Sequence, residues 1–271
     1  MEPADPDIGM KRGEGVVQER AEKLSTLPEP TPTISELLVG IRLDPEKNIT
    51  FQVFDILRDL IVSVKLRPGQ RLSEKEIAAA LSASKTPVRE AMIRLDEIRL
   101  VKIVPQSGTY VTKISVKRYR TACFIRRQLE LGAVRAAACS PNLKQGMKFL
   151  DRMLAQQAKA VANEDYESLY RLDEAFHFQL FEMAGFGDAW TTARRTQFDV
   201  NRARHVRRLH GVVNGPKILA EHTAIVEAIR AQDPDRAAAA LNAHIGDLEQ
   251  QISVLFRDKA MLGTIEAPDD D

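Results

Sequence analysis

The chain has 271 residues, of which 44% are hydrophobic and 28% charged, as in soluble proteins long enough for two ordinary domains. No uncharged apolar run approaches the ~20 residues of a membrane span, and the N-terminus does not resemble a secretory signal, which predicts a cytoplasmic protein without membrane insertion. The formal net charge of +1 decides neither for nor against nucleic acid, because binding depends on where the charge lies.

Two end segments are predicted to be flexible. Residues 1–45 mix Pro, Glu, Thr and Lys, as in LPEPTPT, without sustained apolar periodicity. Such a segment cannot bury enough apolar surface to offset the entropy lost on ordering. Residues 261–271 end in EAPDDD and are interpreted as an acidic tail.

The segment 46–115 begins with three predicted helices. Apolar side chains recur at helical spacing over residues 51–61 and define the first helix. Ser73 and Glu76 have the spacing of a capping box, which predicts the start of a short second helix. A third helix begins near Thr86, because the proline that follows suits a first helical turn. Two helices joined by such a small turn indicate a helix-turn-helix.

Two short β-prone runs follow the third helix. They cover residues 100–104 and 109–113 and are separated by Pro-Gln-Ser-Gly, which suits a hairpin loop. A helix-turn-helix followed by a hairpin is a winged helix-turn-helix. We therefore assign residues 46–115 to a DNA-binding domain of this kind.

The third helix is predicted to present polar and basic side chains near its N-terminus. Arg89 is placed to meet a guanine with two parallel hydrogen bonds in the major groove. Lys85, Thr86 and Arg71 are better placed for phosphates. Gly108, at the tip of the wing, would allow a close approach to a minor groove. The alternative is that these are solvated polar residues on two surface helices.

The segment PGQRLSEKEIAAALSASKTPVREAMIRL resembles the N-terminal signature of the GntR family of bacterial regulators. With the hairpin, the resemblance covers about 65 residues. The resemblance implies that the partner is double-stranded operator DNA. The family positions that contact DNA correspond here to Arg71, Lys85, Thr86, Arg89 and Gly108. This sequence departs from the family pattern in having Lys85 where Arg is usual and Arg99 where Gly is usual.

From residue 116 onward no strand is evident and six helices are predicted. Breaks such as Ser140-Pro141 and Asp233-Pro234 separate them. The predicted helical stretches are 117–139, 142–162, 165–185, 187–209, 216–232 and 235–257. We therefore predict a mainly α fold, in which the winged helix-turn-helix precedes a six-helix antiparallel bundle over residues 116–260.

Polar residues interrupt the apolar faces of three of these helices. Asp173 and His177 are four residues apart, so their side chains lie on one face of one helix. His222 and His244 interrupt the apolar faces of two later helices. A buried carboxylate without a partner is costly, and three imidazoles beside it are good ligands for a first-row transition metal. One shared divalent ion would satisfy all four; for each His alone, a hydrogen-bonded core histidine is the alternative.

The sequence DEAFHFQLFEMAG, followed by EHTAIVEAIRAQDPDRAAAALNAHI, resembles the FCD ligand-binding domain of FadR-type GntR regulators, in its six-helix, VanR-like form. The resemblance implies a divalent metal, commonly zinc or nickel, at Asp173, His177, His222 and His244. It also implies a small organic acid as effector, in a pocket that Arg126 lines. The Arg126 guanidinium would fit a carboxylate bidentately, although an ion pair with Glu130 is the alternative.

These expectations combine into one predicted function. The chain is expected to form a homodimer that binds a roughly palindromic operator, with repression as the commoner family outcome. A small-molecule effector, a carboxylate, would bind near the metal and change operator affinity. An enzyme is not expected, because no additional general base is identifiable. Two alternatives stay open: a regulator whose metal ion is itself the signal, and a metal-dependent hydrolase.

Overall fold

The computed structural model describes residues 32–211, 213–257 and 262–266. Residues 1–31 and 267–271, which belong to the two predicted tails, lie outside the described residues. The N-terminal unit (residues 32–111) contains α1 (Ile34–Leu38), α2 (Ile49–Val62), β1 (Arg71–Leu72), α3 (Glu74–Ala80), α4 (Lys85–Glu97), β2 (Val101–Val104) and β3 (Gly108–Val111). The helical unit (residues 116–257) contains α5 (Val116–Ala138), α6 (Leu143–Ala162), α7 (Tyr166–Met183), α8 (Gly187–Arg194), α9 (Phe198–Leu209), α10 (Gly215–Arg230), α11 (Pro234–Gln250) and α12 (Ile252–Arg257).

The N-terminal unit is a winged helix-turn-helix, as predicted. Its three-stranded antiparallel sheet has the order β1-β3-β2, so the central strand is the second strand of the wing. The register pairs Arg71 with Tyr110 on one side and Val101 with Val111 on the other. The apolar stripes of α2, α3 and α4 pack together beneath this sheet.

Helix α1 corrects the predicted extent of the N-terminal tail. The sequence analysis assigned residues 1–45 to a flexible segment, but Ile34 and Leu38 are 3% and 0% exposed and belong to the core of the N-terminal unit. A capping box holds the start of the helix, in which Thr33 and Glu36 bond each other's backbone amides. Two apolar side chains one turn apart are too short a pattern for periodicity to reveal.

The chain leaves α4 through a left-handed residue. Arg99 has a φ of 59°, at the position where the family usually has glycine. A non-glycine residue in this conformation costs roughly 1–2 kcal/mol. The Arg99 carbonyl accepts a hydrogen bond from Thr112 Oγ1 at 2.8 Å, which ties the end of α4 to the end of the wing. Arg99 therefore adopts a left-handed conformation of the kind that favours glycine.

The helical unit is built around a second apolar core. Residues from α5, α6, α7, α10 and α11 meet there, with representatives Val134, Leu150, Phe176, Ile229 and Leu241. The prediction of a mainly α fold with a helical C-terminal part is confirmed. None of the helices in the described part of the chain is long and apolar enough to cross a membrane.

Two stretches predicted as single helices are each divided in two. The stretch 187–209 is α8 and α9, and Thr196 lies between them with its Oγ1 bonded to the Ala193 carbonyl at 2.8 Å. A threonine hydroxyl bonded to a nearby carbonyl competes with helix continuation, and no Pro or Gly marks the site. The stretch 235–257 is α11 and α12, interrupted at Gln251.

A late segment of the chain pairs with the connection between the two units. Ile114 and Ile265 form a parallel bridge, in which the Ile114 amide donates to the Thr264 carbonyl at 2.9 Å and the Ile114 carbonyl accepts from the Glu266 amide at 3.0 Å. Ile265 is 3% exposed. The predicted acidic tail at 261–271 therefore includes a packed segment, because its one buried isoleucine has a backbone partner and an apolar cluster to join.

Candidate DNA-binding surface and metal centre

Helix α4 buries its apolar stripe and exposes the predicted DNA-contacting residues. The buried stripe consists of Val88, Ala91, Met92 and Leu95. Lys85, Thr86 and Arg89 are all exposed near the N-terminus of the helix. The Arg89 side chain is 71% exposed, with Nε only 3.4 Å from Glu74 Oε1. A pairing this exposed is weak and would not prevent Arg89 from reaching a base edge.

Arg71 and Gly108 meet near the tip of the wing. Gly108 has a φ of +131°, and a Cβ added there would lie 2.9 Å from Arg71 Nε. Glycine is required at this position because any side chain would strain the backbone and displace the Arg71 guanidinium. Gly108 therefore positions the exposed Arg71, a reason for glycine that differs from the predicted approach to a minor groove.

The four predicted metal ligands come together in the interior of the helical unit. Asp173 and His177 project from α7, His222 from α10 and His244 from α11. Each offers one ligand atom, and these atoms all lie within 4.8 Å of one another. All four side chains are buried, with exposures between 0% and 4%. We call these four residues the His/Asp cluster.

Two histidines of the cluster are hydrogen-bonded through their Nδ1 atoms, and the third has a carboxylate oxygen within ion-pair distance of its Nδ1. His222 Nδ1 lies 2.8 Å from Gln157 Oε1, and His244 Nδ1 lies 2.7 Å from Glu221 Oε2. For His177, Nδ1 is 2.6 Å from Glu130 Oε2. The three Nε2 atoms are buried and have no hydrogen-bond partner among the described residues. An acceptor at Nδ1 fixes the tautomer with its lone pair on Nε2, the form that binds a metal.

The protonation states of the cluster suit metal ligation. Burial lowers the pKa of His222 well below its usual value and that of His244 to about 3, so both imidazoles are neutral. Burial opposes ionisation of Asp173, but the Arg204 guanidinium and other nearby cations hold the pKa of Asp173 well below its usual range. A carboxylate with three imidazoles is a donor set for zinc or another first-row divalent ion, so the residues present fit such a metal.

Arg204 of α9 is part of the site and was not predicted. Its Nη1 donates to Asp173 Oδ2 at 2.6 Å and its Nη2 to Asp173 Oδ1 at 3.4 Å. A small cavity of about 30 Å³ adjoins the cluster and is lined by Arg204, Arg207, Lys217 and His244 among others. Its lining holds three cationic side chains and one carboxylate, that of Glu221, and this excess of positive charge suits an anion.

Arg126 lies in a buried ion pair, and its role in an effector pocket stays a prediction. It is 3% exposed, its Nε donates to Glu130 Oε1 at 2.5 Å, and it is absent from the lining of the small cavity. Burial opposes ionisation of Glu130, yet Arg126 and His177 lower its pKa to about 2. Arg126 is therefore in the ion pair that the sequence analysis gave as the alternative, and it supports His177 through Glu130.

Sequence reasoning missed three residues of the site, Gln157, Arg204 and Glu221, and named Glu130 only as a partner of Arg126. The run NRARHVRRLH carried a signal for Arg204, because so many arginines on a helix that packs on both sides cannot all be exposed. Glu221 directly precedes His222, which is a weak indication. Gln157 gave none, since its partner is 65 residues away in the chain.

The N-terminal unit and the helical unit each match the model of a known protein family. Residues 122–247 match the model of the FCD domain, and residues 50–111 match that of the bacterial regulatory proteins of the gntR family. The HTH-type transcriptional repressor RspR of Escherichia coli (strain K12) is 33% identical over 217 residues, which cover 80% of this chain and 94% of that protein.

Two solved structures have a similar fold. A putative transcriptional regulator GntR from Rhodococcus sp. RHA1 aligns with a TM-score of 0.64 at 28% identity, covering 77% of this chain and 99% of the other. E. coli McbR/YncC aligns with a TM-score of 0.64 at 23% identity, covering 78% and 98% of the two chains. The matched families and relatives are transcriptional regulators rather than enzymes. The chain belongs to the GntR family of bacterial transcriptional regulators and carries an FCD domain after its helix-turn-helix.

Proposed function

We propose that this chain is a repressor whose operator affinity is controlled by a small organic acid bound beside a divalent metal in the helical unit. In this proposal residues 46–115 bind DNA, residues 116–260 bind metal and effector, and the protein acts in the cytoplasm as a homodimer. The observation that carries the proposal is the convergence of one aspartate and three histidine Nε2 atoms that have no hydrogen-bond partner within the described part of the chain, next to a cationic cavity.

The metal would be held by the four residues of the His/Asp cluster. When bound, a divalent ion supplies positive charge that attracts a carboxylate and leaves coordination positions beyond the four protein ligands. The Nδ1 partners Glu130, Gln157 and Glu221 orient the imidazoles, as outer partners of metal-bound histidines commonly do.

The effector would enter the small cavity, where Arg204 and Arg207 offer guanidinium groups and Lys217 an ammonium group. The cavity holds about 30 Å³, which is the space of one or two water molecules rather than an organic acid. Binding of an effector therefore requires side chains or helices around the cavity to move. A ligand that must rearrange the helical unit is able to change the affinity of that unit for DNA indirectly.

The DNA-binding part of the proposal relies on the exposed residues Arg71, Lys85, Thr86 and Arg89. They lie on β1 and at the start of α4, the helix that corresponds to a recognition helix. A homodimer would present two such surfaces to the two halves of a palindromic site.

The metal content of the purified protein tests the first part of the proposal. Inductively coupled plasma mass spectrometry should find close to one divalent ion per chain in the native protein and far less in His222→Ala. His210→Ala is the matched control, because His210 lies outside the cluster. Equal metal content in all three proteins would refute the metal site.

Operator affinity tests the second part. Fluorescence anisotropy with a duplex selected by the protein from a random pool should show weaker binding when a matching organic acid is added. The small size of the cavity favours one other candidate, a regulator in which the metal is the signal. In that case, removal of the metal alone changes operator affinity. If the protein instead retains its metal through dialysis and its DNA binding does not depend on metal availability, the ion is a structural cofactor.

A further inference from the structure

Helix α9 carries two buried arginines whose side chains end in different parts of the molecule. Arg204, 7% exposed, binds Asp173 of the His/Asp cluster. Arg202, 0% exposed, reaches the residue that directly follows the wing strand β3. Residues two positions apart in a helix are separated by only about 3 Å along its axis. Both side chains therefore start from the same rigid turn.

Arg202 is bonded to Thr112 through both of its terminal nitrogens. Nη2 donates to the Thr112 carbonyl, and Nη1 lies 3.3 Å from Thr112 Oγ1. The Thr112 hydroxyl in turn donates to the Arg99 carbonyl at 2.8 Å, just beyond α4. A continuous set of hydrogen bonds thus leads from α9 to both the wing and the helix that presents Arg89.

The surroundings of Arg202 hold this connection in one geometry. Asp199 Oδ1 lies 3.2 Å from Arg202 Nη1, and Asp199 Oδ2 accepts from Arg118 Nε on α5 at 2.7 Å. Phe198, at the start of α9, packs against the apolar core of the N-terminal unit. A buried ion pair is weak evidence for stability, because desolvation offsets most of the attraction, but it does require a particular geometry.

We propose that α9 couples the His/Asp cluster to the N-terminal unit, with Arg204 responding to what the cluster binds and Arg202 transmitting the resulting position of α9 to Thr112. This inference rests on the proposed function, since it needs a ligand at the cluster. A divalent ion on Asp173 brings two positive charges next to the Arg204 guanidinium and weakens its attraction to that carboxylate. Because Arg202 starts from the same turn, a movement of that turn also displaces the contact between Arg202 and Thr112.

Amide hydrogen exchange of the full-length chain tests this coupling with Zn²⁺ alone as the probe. In the native protein, adding Zn²⁺ to chelator-treated samples should change exchange in α9 and in residues 108–115 by about threefold or more. In Arg202→Met, Zn²⁺ should still bind and still change exchange in α9, but residues 108–115 should no longer respond. Asp199 keeps Arg118 as a partner in this variant, so no buried carboxylate is left unpaired.

Two variants serve as controls at the same end of α9. Arg195→Met removes an exposed arginine that precedes α9, and its response at 108–115 should equal that of the native protein. Arg202→Lys keeps the charge beside Asp199, but one ammonium cannot reproduce the two-nitrogen contact with Thr112, so its response should be reduced.

A variant of the second buried arginine on the same turn makes the test independent of how Arg202→Met folds. Arg204→Met removes the group that responds to the cluster, so exchange at 108–115 should already differ from the native metal-free protein and should not change further with Zn²⁺. Retention of the Zn²⁺ response at 108–115 in both Arg202→Met and Arg204→Met would overturn the coupling.

The same data separate failure of the coupling from failure of the metal site. Isothermal titration calorimetry measures Zn²⁺ binding to each protein directly. If the native protein binds Zn²⁺ while residues 108–115 do not respond, the coupling is wrong and the metal site stands. If the native protein binds no Zn²⁺, both the metal site and the coupling that depends on it are refuted.

Discussion

Gln157→Leu isolates the contribution of an outer partner to the His/Asp cluster. Gln157 is 0% exposed and lies on α6, and its Oε1 is 2.8 Å from His222 Nδ1. Its Nε2 also donates to the Leu172 carbonyl at 3.3 Å. Leucine has a similar volume and fills the same space, so the substitution removes two hydrogen bonds without leaving a cavity.

The expected magnitudes follow from what is left behind. The Nδ1–H of His222 loses its acceptor in the interior, which should destabilise the metal-free protein by about 1–3 kcal/mol. The imidazole also loses the contact that fixes its tautomer and orientation. Loss of such an outer partner commonly lowers metal affinity about 10- to 100-fold, equivalent to roughly 1.4–2.8 kcal/mol of binding free energy.

Competition with a chromophoric zinc chelator measures the affinity, and thermal unfolding of chelator-treated protein measures the stability. The neighbouring residue provides a matched control, because Gln156 is exposed and the same change there should alter neither quantity. Zinc affinity in Gln157→Leu equal to that of the native protein, or an equal loss in Gln156→Leu, would refute the assignment of Gln157 as an orienting partner.

Four further outcomes are expected. Leu38→Ala should destabilise the protein by about 2–5 kcal/mol in urea unfolding, because the side chain is fully buried, whereas Val39→Ala, 78% exposed, should be nearly neutral. Arg89→Ala should weaken binding of a selected duplex about 10- to 100-fold in anisotropy titrations while leaving the helical content in circular dichroism unchanged. Gly108→Ala should lower DNA affinity and stability together, because φ is +131° and the added Cβ would displace the guanidinium that lies over it. Burial and neighbouring positive charge lower the pKa of His205 to about 4. The unfolded state therefore takes up a proton at a higher pH than the folded state, and the free energy of unfolding falls as the pH drops from about 6.5 towards 4. His205→Gln should flatten the pH profile of stability in that window.

Local patterns in the sequence were sufficient for most of the helices and for the four cluster residues. Asp173 and His177 stood out because each interrupts an apolar stripe within a single helix, and the same reasoning found His222 and His244. The helical stripe of α4 likewise placed Arg89 on the exposed side. These features depend on neighbours three or four residues away, so they can be read from the chain itself.

Features that depend on distant partners could not be predicted in this way. Whether Arg126 lines a pocket or binds Glu130 depends on which helices cover it, and periodicity leaves both possible. Gln157 becomes an orienting partner only when α6 packs against α10. Helix α1 was missed because two buried side chains do not make a period, and the break between α8 and α9 was missed because a threonine hydroxyl, rather than Pro or Gly, ends the helix.

The bridge between Ile114 and Ile265 has a consequence for how the protein is made. Ile265 is translated long after Ile114, so the N-terminal unit has left the ribosome and can fold before its backbone partner at the connection exists. This contact of the connection between the two units therefore forms late in synthesis, when the second isoleucine arrives. Nascent chains released before residue 265 should contain a folded winged helix-turn-helix whose position relative to the helices is less restricted than in the finished protein.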